Sequence, residues 1–308
     1  MKHLSTYGIL LLICLGLLAG CNNATNQSTE PTDNKTATDR TPITYQIYCD
    51  SPMNALPSDS SNQDIVFESS TVLDLNYSSS IDTINKNAVE NKQFTIHQDA
   101  LQLRLKRSYS SSFAHSTRTD LRQYGNYDVY ETTTDSERIE VTFRQNTDQL
   151  AFFLAYDRLT PNGDVTEQEA RACADTLFTE LYGQSTLMKY DHVITSMTKE
   201  STYMFTYYKT LLGYTTNDQI AIEVNKQGKI ASVNAKRLGI FDPISSEITL
   251  KQIEDAESAL LNSISETYNV QHRQLFVDAI SGKCYLQLIV SRPIDSGYQG
   301  NIFYININ

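Results

Sequence analysis

Residues 166–183 read TEQEARACADTLFTELYG, and residues 249–269 read TLKQIEDAESALLNSISETYN. Each opens on a capping box, Thr166-x-x-Glu169 and Thr249-x-x-Gln252, in which the Thr hydroxyl and the longer side chain satisfy orphan amides at a helix start. The two lie 83 positions apart, and at that offset their apolar stripes superimpose. Ala170, Cys173, Leu177 and Leu181 fall on Ile253, Ala256, Leu260 and Ile264, one face of an amphipathic helix in both copies. The same offset holds downstream. Tyr203, Phe205 and Tyr207 alternate like Leu286, Leu288 and Val290, and Ile220, Ile222 and Val224 alternate like Phe303, Ile305 and Ile307; both sets read as strands. Gly213-Tyr214 meets Gly297-Tyr298 one position later. Self-similarity at a fixed period marks a repeated structural unit.

Each unit is therefore expected to be α+β, one amphipathic helix packed on an antiparallel β-meander. In the middle unit Asn225-Lys226-Gln227-Gly228 reads as a hairpin turn with Gly at the left-handed position, and Lys229 to Ala235 as the return strand. Before residue 160 a weaker copy is legible. Ile139, Val141 and Phe143 run out, Asn146-Thr147-Asp148 turns, and Leu150, Phe152, Leu154 and Tyr156 run back. Its helix is expected near Ser80–Lys92. Leu101, Leu103 and Leu105 predict a strand with a basic outer face, and Ile65–Leu75 another. The expected organisation is a degenerate β-rich unit at 43–160, a complete unit at 161–244 and an incomplete one at 245–308. The last ends where the middle unit begins its return strand, so its final edge, Ile302–Asn308, is expected to be covered by residues 43–80 or by a neighbouring unit, because proteins cover their edges.

The middle unit resembles the PepSY-like repeats of secreted Gram-positive proteins. The resemblance is carried by Thr166-Glu167-Gln168-Glu169-Ala170, Gly213-Tyr214-Thr215-Thr216, Ile220-x-Ile222-x-Val224 and Asn225-x-x-Gly228-x-Ile230. It covers about 163–240 well and 246–308 in part. It implies an extracytoplasmic α+β module, for some relatives one that binds or inhibits a peptidase, and brings no catalytic residues.

At the N-terminus Lys2 and His3 precede an apolar run from Ile9 to Leu18, too short to span a bilayer, as in a signal-peptide core. The run ends in Leu18-Ala19-Gly20-Cys21, which resembles the lipobox of bacterial lipoproteins. That resemblance implies cleavage before Cys21, lipidation of its sulfur, and anchorage to the outer face of the cell membrane. Residues 21–42 carry no large apolar side chain after Cys21 and are expected to form a disordered tether. The chain has 308 residues and a net charge of -11. An acidic chain does not favour nucleic acid, whose phosphates need Lys and Arg.

Of the 5 cysteines, Cys49, Cys173 and Cys284 lie beyond the lipobox. Cys173 and Cys284 fall on apolar faces and read as small core residues; a bridge between them is possible but not favoured. No zinc spacing, Gly-x-Ser-x-Gly elbow, dinucleotide or phosphate loop, or His-Glu-x-x-His is present. The histidines beyond the signal, His97, His115, His192 and His272, show no ligand spacing. The acids of Glu167/Glu169 and Glu254/Asp255/Glu257 complement helix starts. Asp157–Asp164 has calcium-like residue types without the EF-hand pattern and reads as a linker. No cofactor or metal is expected.

Tyrosine is plentiful, at 19. Tyr203, Tyr207, Tyr208 and Tyr214 cluster, as do Tyr124, Tyr127 and Tyr130. Tyr203, Tyr207, Tyr208, Tyr214 and Tyr298 are the candidates for contact with a ligand, with sheet packing as the competing role. The leading expectation is a non-enzymatic, lipid-anchored envelope module that binds a peptide or protein partner. The alternatives are a hydrolase assembled in space around His192 or His272, and a structural spacer.

Overall fold

Both capping boxes form. In the computed structural model Thr166 Oγ1 accepts from Glu169 N at 3.3 Å, while the Glu169 carboxylate accepts from Thr166 N at 2.9 Å. Thr249 and Gln252 repeat the exchange at 3.3 and 2.8 Å. The structure describes residues 45–49, 65–69, 81–82, 85–113, 123–133, 137–159, 162–198, 202–264, 268–278, 282–295 and 297–307. The lipobox (Leu18, Ala19, Gly20, Cys21), the tether to residue 42 and His115 lie outside them.

Pro42–Asn308 is one compact unit. Its elements are β1 (Tyr45–Cys49), β2 (Ile65–Ser69), β3 (Ile81–Asp82), β4 (Asn91–Ile96), β5 (Asp99–Phe113), β6 (Gln123–Thr132), β7 (Ile139–Arg144) and β8 (Leu150–Ala155). A 3-10 turn at Tyr156–Arg158 leads to α1 (Glu167–Tyr182) and the short α2 (Gln184–Leu187). Then come β9 (His192–Thr198), β10 (Thr202–Leu211), β11 (Tyr214–Asn225), β12 (Ile230–Asn234), α3 (Leu250–Leu261), β13 (Asn269–Val277), β14 (Cys284–Ile294) and β15 (Gly297–Asn306). The fold is mixed α+β, mostly sheet with few helices.

Two large apolar cores and two small clusters are buried among the described residues. The first joins Ala170, Ala174, Leu177 and Phe178 of α1 to Val141 and Phe153 of the β7–β8 hairpin and to Phe205, Tyr207, Ile220, Ile222 and Val233 of β10–β12. The second joins Ile253, Ala256 and Leu260 of α3 to Leu275, Leu286, Leu288, Phe303 and Ile305 of β13–β15. So α1 serves strands on both sides of residue 160. The helix expected near Ser80–Lys92 is not found among the described residues: Ile81–Asp82 and Asn91–Ile96 are strands, and the sequence between them carries no helical stripe. Leu101 and Leu103 are buried and Gln102 and Arg104 exposed in β5, as their alternation requires.

A second correction concerns β8. The core face there is Leu150, Phe153 and Ala155, with Phe152 and Leu154 half-buried on the other side. The cause is a bulge: Thr142 pairs Phe152 but Phe143 pairs Leu150. One extra residue reverses the side-chain phase of everything beyond it.

The fifteen strands described form one sheet, in which β4, β9 and β10 lie off the main path. The β7–β8 and β11–β12 hairpins meet through their return strands, β12 running antiparallel to β8 with Val233 opposite Phe153. β11 then pairs β13 in parallel at Thr215–Thr216. The final strand is covered, in part, from the start of the unit. β1 runs antiparallel to β15 with Ile47 opposite Ile305, and β2 lies parallel beside β1. β1 thus takes along β15 the place that β12 takes along β11.

Glycine matters at two turns. Gly228, at φ +77, closes the β11–β12 turn, where Asn225 Oδ1 accepts from Gln227 N and Lys229 N. Gly163, at φ +133, passes the same turn so closely that a Cβ would lie 2.0 Å from Lys226 O. Only glycine permits that approach. The linker reading of Asp157–Asp164 gains detail from Arg158, which is 4% exposed. Its guanidinium grips Glu137 at 2.6 and 2.7 Å, Asp99 at 2.7 Å and Ile230 O at 3.0 Å. No helix among the described residues is long and apolar enough to cross a membrane.

Candidate functional site

The run Thr216-Asn217-Asp218 interrupts β11. Tyr208 pairs Gln219 and Thr210 pairs Thr215, so β11 carries extra residues opposite Lys209. A bulge turns side chains that ordinary pleating would expose, and all three are buried. Asn217 turns toward β13, accepting from Val277 N and donating to Val277 O, both at 2.9 Å. Asp218 turns toward the loop after β12. Its Oδ1 accepts from Tyr190 Oη at 2.6 Å and Gly239 N at 2.8 Å, and its Oδ2 accepts from Phe241 N at 3.2 Å. Lys209 Nζ lies 3.9 Å from that Oδ2 and donates to Asp242. Burial pushes the Asp218 carboxyl above the usual carboxylate range, against the pull of its donors. Burial, then the neighbouring Asp218, pushes the Tyr190 phenol up as well.

Above this network lies a pocket of about 600 Å³. Its walls are the β7–β8 turn, the C-terminal end of α1, the segment 186–190, and the loop 238–242. Asp148, Tyr182, Lys189, Lys209, Leu238 and Asp242 give it charges of both signs on a partly apolar base. Asp148 is held by Lys92 at 2.6 Å, which keeps its carboxyl below the usual range through that hydrogen bond and charge. Lys209 is held by Asp242 and Asp218. Lys189 makes no ion pair or side-chain hydrogen bond among the described residues.

No family model matches the chain, and no curated protein matches it. Among solved structures it is similar to the Bacillus megaterium YpeB C-terminal domain. The two share 12% sequence identity with a TM-score of 0.34, over 67% of this chain and 84% of that one.

The candidate tyrosines do not share a surface. Tyr207 is sealed in the first core and donates to Asp175 of α1 at 2.6 Å, so it is not available to a ligand. Tyr203 packs half-buried against the same core and stacks on Phe205 at 6.5 Å. Tyr208 lies beside the His192 ring, at 5.9 Å. Tyr214 packs against the second core. Tyr298 stands 80% exposed at the start of β15. In the other cluster Tyr127 and Tyr130 are buried. The residues of the pocket were instead hidden in a turn, a helix end and a bulge, where no residue pattern marks a ligand.

His192 and His272 come near enough to repel one another. Burial, then repulsion from His192, pushes His272 below its usual value, and neither imidazole is hydrogen-bonded to a carboxylate among the described residues. His97 Nδ1 lies 3.5 Å from Glu180 Oε2 without a hydrogen bond. Cys173 and Cys284 are unbridged. Burial raises both thiols, Cys284 to about 12, which favours the neutral thiol over the nucleophilic thiolate. No group of three metal-ligating side chains occurs among the described residues.

Proposed function

We propose that this chain is an extracytoplasmic lipoprotein, anchored through Cys21 and cleaved after Gly20, whose tandem helix-on-meander body binds a peptide or protein partner without chemistry. The lipobox resemblance supports the address, and the two capped helices, each followed by antiparallel strands, support the repeated unit. The observation that carries the binding role is the outer edge of β9. β9 pairs β10 from His192 to Thr198, and no other strand among the described residues pairs its far side. Thr195 and Met197 are exposed along it. An unpaired edge offers main-chain donors and acceptors to an incoming extended segment. The pocket residues Lys189 and Tyr190 lie just before this strand, separated from it by Asp191, so a segment added there has a polar recess near in sequence to select among partners.

Affinity capture from envelope extracts with the full-length lipidated protein tests this. A specific partner is expected, and its recovery is expected to fall when Thr195 and Met197 are replaced by Lys, which opposes strand addition. Capture of no specific partner, together with hydrolytic activity in the pure protein that is lost on replacing His192 or His272, overturns it in favour of a hydrolase.

A further inference from the structure

The pocket combines features that select a ligand class. Its floor cation, Lys209, is already committed to two carboxylates. Its remaining cation, Lys189, is exposed and uncommitted among the described residues. Its two rim carboxylates, Asp148 and Asp242, have side chains 93% and 65% exposed and so retain capacity to accept. The end of α1 that faces the pocket is its C-terminal end, at Leu181 and Tyr182. The negative pole of the helix dipole therefore points here. A phosphate or other multivalent anion is disfavoured by that pole and by two carboxylates. A plain apolar ligand would strand the charged rim. A ligand with one charge of each sign satisfies both. The volume of about 600 Å³ falls in the range of pockets for small organic ligands.

We infer that this pocket seats a short zwitterionic peptide, its carboxylate on Lys189 and its ammonium on the Asp148/Asp242 rim, with Leu181, Leu238 and the Tyr182 ring against its aliphatic part. This rests on the binding-module reading and gives it a ligand chemistry. Charge-assisted hydrogen bonds are about twice as strong as neutral ones, so both ends contribute to selection.

The test is calorimetric titration of the full-length lipidated protein, in detergent, with tri-alanine, its N-acetyl form and its C-terminal amide. Tri-alanine is expected to bind, and each capped form to bind more weakly by about tenfold or more, the factor that 1.4 kcal/mol represents. Lys189→Gln is expected to erase the preference for the free carboxylate while leaving thermal unfolding unchanged, since the ammonium has no structural partner. Asp148→Asn is expected to reduce the preference for the free amine. Equal binding of all three peptides, binding of none at millimolar concentration, or an unaltered preference in Lys189→Gln overturns the assignment. If the peptides fail while envelope capture through β9 persists, the pocket assignment falls and the binding-module reading stands. If capture also fails, both fall.

Discussion

Asp218 shows how much one residue settles. In the sequence it is an acid between Gly213-Tyr214 and the Ile220–Val224 alternation, where an acid ordinarily marks a turn. In the fold it is fully buried and holds the loop after β12 through two backbone amides while it orients Tyr190. Asp218→Ala leaves Tyr190 Oη and the Phe241 amide without their acceptor, the Gly239 amide with only Tyr190 Oη at 3.2 Å, and Lys209 with one carboxylate instead of two. Removing one member of a buried charged network costs about 3 kcal/mol or more, so a large drop in unfolding free energy is expected in denaturant titration. A loss within 0.5 kcal/mol would show the loop to be held by other means. His272 gives a pH dependence. Its folded pKa lies below the unfolded value of 6.5, so the unfolded chain binds the proton first. Its contribution is complete above about 6.5 and is lost as pH falls from there through the folded value. The melting temperature is expected to fall over that window, and less steeply in His272→Gln. Identical slopes would assign the dependence elsewhere.

Elements were legible where their signal is local. A capping box and a 3.6-residue stripe lie within one turn of chain, and α1 and α3 begin where Thr166 and Thr249 place them. The turn at Asn225–Gly228 was legible for the same reason, since its glycine and its Asn side chain act within four residues. The bulges in β8 and β11 were not, because they are defined by the partner strand. Nor was the replacement of a helix by β3 and β4, which takes its stability from the long β5 beside them. The cap argument is quantitative. Replacing an N-cap Thr by Ala costs about 1 kcal/mol, so Thr166→Ala and Thr249→Ala are each expected to lower stability by about that amount. The helices sit in separate cores and share no capping partner, so the double variant is expected to be additive within about 0.5 kcal/mol. Denaturant titration of the three variants checks this, and marked non-additivity would mean that the two helix starts are energetically coupled through the structure.

Pairings between distant segments decide the whole molecule, and these the sequence could only bound. That the edge of β15 would be met, by residues 43–80 or by a neighbouring unit, follows from the cost of an open edge. That β1 would meet it antiparallel at Phe303–Ile305 depends on where the chain returns, which local patterns do not carry. The consequence is testable. The second core is bounded by β15, and β1 supplies along it what β12 supplies along β11. Deleting residues 45–49 is then expected to leave the Phe303–Ile305 edge as a template for pairing with another chain. The deletion protein is expected to melt earlier and to self-associate with rising concentration, as light scattering or analytical ultracentrifugation reads. Deleting 25–29, upstream of the strand, is expected to do neither. A synthetic peptide of residues 43–50 added to the deletion protein is expected to restore the monomer, because the edge specifies a strand of that sequence and direction rather than a tether. An unchanged melting temperature and no self-association would show that β1 is an accessory to the sheet, and that the second core is complete without the start of the folded unit.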